Sequence, residues 1–430
     1  MSNHSFIKEV IKEKPLDKRK LLIRIGLLIV AAILFGVIAA VTFAYVRPKI
    51  EAGIEARKEP TKIDITGDGE DVTPMAPTKT PTKAPTNTPT PTPTPTPEEK
   101  PVESVIPAEL GLAEYKKLYQ DMKVASQEAE KSIVTVIGIK STMNYFNDIY
   151  DNKGQRSGIV IGNNGRELLV LTDYSVVDGV DRIQVTFSDD KIVDAQYQKH
   201  DDNTGLTIIR ILLEDVGSDT LEKVVMAPLG NSYKLSQGEP IIALGSPTGY
   251  SDSIVFGAIT SVTNKVPSWD TEYSVLTTDI IGSEGGSGIL TDLDGEIVGI
   301  MAQSYSNENN TVTALAISPI RNLIQTLSNN GEIRYLGIRG QEVTADISKS
   351  EGLPEGIYIE NPRQDSPAMQ VGLMSGDIIV KMNDTDVRTM DEYRKQLDGC
   401  TIGQPVKLTV MRSSVSGYEE IIFDVIVEAL

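Results

Sequence analysis

"TTDIIGSEGGSGILTDLDGEIVGI", Thr277 to Ile300, closes a glycine-rich loop on Ser287 and runs straight into an apolar, strand-like segment. Runs of the same kind recur outward from it. "SIVTVIGI", "ELLVLTDY", "DRIQVTF", "TGLTIIRIL", "PIIALGS", "DSIVFGAITSV", "EIVGIMAQS" and "TVTALAI" follow one another with turns and little helix between them. Short strands at such spacing indicate a mainly β barrel or sandwich. The helical stretch "SPIRNLIQTLSNNG" ends this unit on Gly331, so the first folded domain is assigned to residues 108–331. Residues 332–430 form a second, α+β domain. It mixes strands ("GIYIEN", "DIIVKMN", "PVKLTVMR", "IIFDVIVEAL") with the helical "SPAMQVGL" and "MDEYRKQLDG".

The N-terminal part follows different rules. Ile25 to Val46 is 22 residues without a charge, and at a helical rise it reaches roughly 33 Å, the thickness of a bilayer core. It is expected to be a transmembrane helix, too long for the apolar core of a cleaved signal. Seven basic side chains precede it within residues 1–24, and only Arg47 and Lys49 lie close behind. The tail is therefore expected to stay cytoplasmic and everything after Arg47 to lie outside, and a single-pass, outward-facing chain of this size with one cysteine points to a surface protein of a single-membrane (Gram-positive type) bacterium. Residues 47–107 lack apolar periodicity, and Thr73 to Pro97 is mostly proline and threonine. That composition predicts a disordered stalk. The acidic "DITGDGEDVT" in this stalk lacks the closing glutamate of a calcium loop.

The chain of 430 residues carries a net charge of −19, which argues against nucleic acid or anionic lipid as a partner. Its single cysteine, Cys400, excludes an internal disulfide and is expected to be buried as a small apolar residue. With two histidines and one cysteine, no zinc motif is present and no metal or other cofactor is expected.

Residues 108–430 resemble the HtrA (Deg) family. "SGIVIGNNGRELLVLTDYSVVDGVDRIQVTF", "DDNTGLTIIRI" and "GEPIIALGSPTGYSDSIVFGAITSV" are similar to that family's histidine strands, aspartate segment and central hairpins, and Thr277 to Ile300 to its serine loop. "YLGI" and "NPRQDSPAMQVGLMSGDIIVKMN" look like a PDZ domain. The resemblance implies a trypsin-like double β-barrel followed by a PDZ domain with a partly open β-barrel.

It also exposes departures. The family's T-x-x-H-V-V is Thr172-Asp173-Tyr174-Ser175-Val176-Val177 here, which puts Ser175 at the base position; T-D-L-A is Thr204-Gly205-Leu206-Thr207, which puts Gly205 at the orienting position. A serine cannot act as a general base near neutral pH. Counting on from Asp279 places the nucleophile at Ser287, whereas counting back from Leu290 places it at Gly286, because the loop is one residue short. Of the two histidines, His4 lies in the cytoplasmic tail, and His200, just before the aspartate segment, is the one substitute base within reach. The expectation is a pseudoprotease. Under the alternative, Ser287 serves an active endopeptidase of surface quality control with a non-standard base.

In the PDZ domain, Tyr335, Leu336, Gly337 and Ile338 match the loop whose backbone N–H groups receive a peptide's terminal carboxylate. Arg339 is placed to add charge attraction. Expected partners are peptides or protein C-termini and unfolded proteins, with a homotrimer through the helix near Tyr115 as the family arrangement implies.

Overall fold

The computed structural model describes residues 60–65, 111–143, 149–306 and 310–430. His4, the apolar run Ile25–Val46 and the Pro/Thr run Thr73–Pro97 lie outside them. Among the described residues, no helix is long and apolar enough to cross a membrane.

Two closed antiparallel barrels form from consecutive strands. The first contains β1 (Ile133–Met143), β2 (Ile149–Asn163), β3 (Glu167–Asp173), β4 (Arg182–Thr186), β5 (Ile192–His200) and β6 (Leu206–Leu212), in the order β1-β2-β3-β6-β5-β4. The second contains β7 (Pro240–Ser246), β8 (Ser253–Ser268), β9 (Thr271–Ile281), β10 (Ser287–Thr291), β11 (Ile297–Met301) and β12 (Thr311–Ala316), in the order β10-β11-β12-β9-β8-β7.

Successive side chains of a strand point to opposite faces, so a continuous apolar run serves two cores at once. In β3, Leu168 and Val170 fill the first barrel, while Leu169 and Leu171 face a seam shared with the second. Strand β7 repeats the pattern: Ile241 and Ala243 fill the second barrel, and Ile242 and Leu244 join the seam. Strand β5 was not singled out by its sequence, because it faces one core only and Val193 is its one buried residue.

Helix α1 (Leu112–Ala125) buries none of its residues, and its Tyr115 and Tyr119 rings lie 5.0 Å apart on the surface. Helix α2 (Ile317–Ser328) does the opposite. Its Ile317, Ile320, Ile324 and Leu327 recur on one face and close the seam. An extended segment outside the expected domain boundary packs nearby: Ile63 N–H donates to Asn329 Oδ1 (2.8 Å), Asn329 Nδ2 donates back to Ile63 O (2.8 Å), and Ile65 N–H donates to Gln325 Oε1 (3.1 Å). Part of the expected stalk, residues 61–65, is thus seated on the barrels.

The second domain begins with β13 (Arg334–Tyr335), β14 (Ile338–Val343), β15 (Gly356–Pro362), β16 (Ile378–Met382) and β17 (Thr385–Asp386). Helix α3 (Met390–Asp398), β18 (Pro405–Ser414), β19 (Gly417–Ile426) and β20 (Glu428–Ala429) complete it. Its main sheet runs β14-β15-β16-β18-β19, and β13 pairs with β20. A capping box opens α3, with Thr389 and Glu392 each accepting the other's backbone N–H. Tyr393 and Leu397 of α3 pack with Leu336, Ile338, Ile357 and Val410 in one core.

Because Ile324 is fully buried in the seam, Ile324→Ala is expected to cost about 2–5 kcal/mol of stability. Urea unfolding of the full chain, read as a shift of midpoint, checks this.

Candidate functional site

Ser287 is the first residue of β10, opposite Ser246 on β7, and only 6% exposed. Its Oγ accepts the backbone N–H of Ser157 at 2.8 Å, and Ser157 Oγ donates to Ser287 O at 3.4 Å. The next residue must be glycine. Gly288 has φ +137°, and a Cβ there would lie 2.0 Å from Leu244 O. The glycine-rich loop before it is folded on itself: Gly286 N–H donates to Ser283 O (2.8 Å), and Ser283 N–H to Pro247 O (3.0 Å). The Gly286 amide, adjacent to Ser287, is therefore engaged within its own loop.

Ser175 lies exposed in a 3₁₀ turn, Tyr174–Val176, and its N–H donates to Asp173 Oδ1 at 2.7 Å. Gly205 has φ +70°, and its carbonyl accepts Tyr174 N–H at 2.7 Å. Gly205 and Ser287 line one narrow cleft with Ser157, Thr172, Thr204 and Leu206. At ≈ 30 Å³ it has room for about one water. Ser175 is not among its lining residues.

His200, the substitute base offered by the sequence, is held elsewhere. Its ring stacks on Tyr174 (centroids 3.7 Å apart, 7° between planes), its Nε2 lies 2.9 Å from Asp202 Oδ1, and its Nδ1 lies 2.6 Å from Tyr197 Oη. An ionised carboxylate only accepts, so Nε2 carries the proton and, in a neutral ring, Nδ1 accepts from the tyrosine hydroxyl. The lone pair a base would use is already engaged. Among the described residues, no hydrogen bond joins His200 or Ser175 to Ser287.

Sequence reasoning passed over Asp201, which is 1% exposed beneath the Gly205 turn. Its Oδ2 accepts from Thr204 N–H (2.9 Å), Thr204 Oγ1 (2.7 Å) and Tyr273 Oη (3.4 Å). Oδ1 has no hydrogen-bond partner among the described residues. Burial, and then the Asp201 charge, push the Tyr273 phenol well above its usual range.

The second-domain loop is better formed. Gly337 has φ +84°, and a Cβ on it would lie 2.3 Å from the Ser366 Cβ, so only glycine fits. Leu336 and Gly337 N–H donate to Asp270 Oδ2 (2.8 and 2.7 Å), and Ile338 N–H donates to Asp270 Oδ1 (3.0 Å). Tyr393 Oη on α3 donates to Oδ1 at 2.7 Å. Three of the four residues proposed for carboxylate binding thus surround a carboxylate that comes from the turn between β8 and β9. Burial pushes the Asp270 carboxyl above its ordinary range, and these donors pull it back. Arg339 is turned away from it, with its Nε 3.2 Å from Glu360 Oε2.

Residues 156–300 match the trypsin-like peptidase domain family, and residues 334–421 match a PDZ domain family. A probable periplasmic serine endoprotease, DegP-like, of Marinomonas sp. is 31% identical over 243 residues, 54% of this chain and 49% of that protein. Its counterpart of Hahella chejuensis is 27% identical over 282 residues, 62% and 58% of the two chains. The chain spans about half the length of the curated relatives it matches. Among solved structures, the HtrA-type protease AlgW with tripeptide aligns with a TM-score of 0.54 at 21% identity, covering 72% of this chain and 97% of that one. At that identity the likeness is one of fold: a trypsin-like double barrel with a PDZ domain behind it.

The hydrogen bond into Ser287 Oγ has a structural consequence. Ser287→Ala would leave the part-buried Ser157 N–H without its acceptor, at a cost of about 1–3 kcal/mol. Ser175→Ala, at an exposed hydroxyl, is expected to stay within about 0.5 kcal/mol of the parent. Urea unfolding of both variants checks the contrast.

Proposed function

From a trypsin-like peptidase domain followed by a PDZ domain, arranged as in HtrA/DegP-family serine proteases, we propose that this chain binds peptides or unfolded segments through its PDZ domain and does not hydrolyse them. The relatives are named as endoproteases; this chain departs from them at the chemistry. The observation that carries the reading is Ser287 itself, whose Oγ accepts the Ser157 amide and meets no base, with Ser175 and Gly205 at the other two triad positions. Without histidine to take the proton and aspartate to hold its tautomer, the serine hydroxyl stays a weak nucleophile. What an oxyanion hole and binding alone retain is about 10³ to 10⁴ over water, too little for a working protease.

Ile25–Val46 anchors the chain in this proposal, with the folded domains outside the cytoplasm, as the periplasmic relatives are. The PDZ loop supports the peptide half of the reading, because its three amides already accommodate a carboxylate. In HtrA-type proteins solved with a tripeptide or a decapeptide, the same pair of domains is present.

The purified full chain and its Ser287→Ala variant are incubated with a fluorophosphonate probe and with an unfolded protein substrate. Neither is expected to be labelled or to cleave. Labelling and cleavage that disappear in the variant would replace this reading with an active endopeptidase built on Ser287.

A further inference from the structure

Peptide capture through the PDZ loop needs an open seat, and Asp270 occupies it. This residue belongs to the trypsin-like domain, at the turn between β8 and β9, with φ +58°. Its carboxylate receives the Leu336, Gly337 and Ile338 amides and the Tyr393 hydroxyl. Its own N–H donates to Ile338 O at 2.6 Å. Ile338 and Asp270 therefore exchange two hydrogen bonds, one to a backbone carbonyl and one to a carboxylate. The last residue of a peptide, added as a strand along β14, would present that same pair of groups.

We propose that Asp270 is a tethered stand-in for a peptide C-terminus, so that a carboxylate-ended ligand enters the PDZ seat only when the β8–β9 hairpin lifts away. The inference rests on the reading of the PDZ domain as a peptide binder. Exclusion is steric as well as electrostatic. Asp270 is 1% exposed, and Leu336, Ile338 and Tyr393 around it are fully buried, so a second carboxylate replaces the first and cannot join it. Contacts beside the seat hold the hairpin down. Lys265 Nζ on β8, 2.5 Å from Glu272 Oε1 within the hairpin, reaches across to 3.5 Å from Glu342 Oε1 on β14. The Arg363 guanidinium lies 5.9 Å from the Trp269 ring and 5.8 Å from the Tyr335 ring. A tethered group competes at a high effective concentration. A free peptide then binds with its intrinsic affinity reduced by the fraction of molecules whose hairpin is open.

The test compares the full chain with its Asp270→Asn and Tyr393→Phe variants by two readouts. Asparagine keeps the shape but turns an NH₂ group toward donors, and phenylalanine removes one donor while keeping the buried ring. The first readout is hydrogen exchange at the Leu336, Gly337 and Ile338 amides. The second is fluorescence anisotropy of a labelled decapeptide ending in a free valine carboxylate, with its C-terminal amide as control. In Asp270→Asn, exchange at the three amides is expected to quicken at least tenfold and the free-carboxylate peptide to bind at least tenfold tighter. Tyr393→Phe, which takes the same donor from Asp270 and from an incoming carboxylate, is expected to quicken exchange less than Asp270→Asn and to give no gain for either peptide. Unchanged exchange, or equal and measurable affinities in parent and Asp270→Asn, overturns the tethered competitor and leaves peptide binding standing. Faster exchange with no peptide bound by any folded variant overturns the reading of the domain as a peptide binder, and the competition with it.

Discussion

A carboxylate without water around it is tolerable only when donors replace the water, and Asp270 meets that condition through groups from one neighbouring domain. Moved unpaired into a low-dielectric interior, such a charge would cost on the order of tens of kcal/mol. Four donors converge on it instead, three from consecutive residues of one loop and one from α3, and hydrogen bonds to a charged acceptor are roughly twice as strong as neutral ones. The dependence runs both ways. The amides of Leu336 and Ile338 are buried by the same contact, and without the carboxylate or a substitute they would be buried donors with no acceptor. The junction therefore favours two arrangements, seated or fully exchanged for another carboxylate or for water, over any partial opening.

The expected triad positions show how little of the double barrel depends on them. Ser175 is exposed, and Gly205 is in a turn with open space beside it, so neither contributes to a core. What holds this region is the pairing of β3 with β6, in register from Glu167 opposite Leu212 to Asp173 opposite Leu206, and the apolar seam behind it. The packing of this region thus rests on neither side chain. The Ser287 hydroxyl links β10 to β2 through the Ser157 amide.

The barrels were legible because the strands that build the seam are apolar on both faces, and "ELLVL" and "PIIAL" announce that in five residues each. The expected triad positions were assigned from motifs at fixed offsets from strand ends. The one-residue shortage after Ser287 left two registers open by counting, and pairing places Ser287 opposite Ser246 and Gly288 opposite Gly245 at the start of β10. Strand β5 was hidden by its half-polar pattern. Asp270 was hidden more deeply. In sequence, "PSWDTE" reads as a hairpin turn, in which aspartate accepts a positive φ, and nothing local says that its carboxylate is answered by amides 66 to 68 residues away. The same holds for Ile63 and Ile65, whose partners are 266 and 260 residues distant.

The trypsin-like barrel also has a physical use as the rigid body that carries Asp270. The hairpin of β8 and β9 spans 16 and 11 residues, longer than the usual five or six, and its base is built into a closed barrel. A stiff arm of this kind loses little conformational freedom on docking, so more of the hydrogen-bond energy at its tip is kept as affinity. The arm also joins the two candidate sites. Strand β9 starts one residue after Asp270 and ends at Ile281, where the loop leading to Ser287 begins. A displacement of the tip is thus applied to one end of a strand whose other end leads into the serine loop. In the proposed reading, the same strand links the opening and closing of the PDZ seat to the loop that carries Ser287.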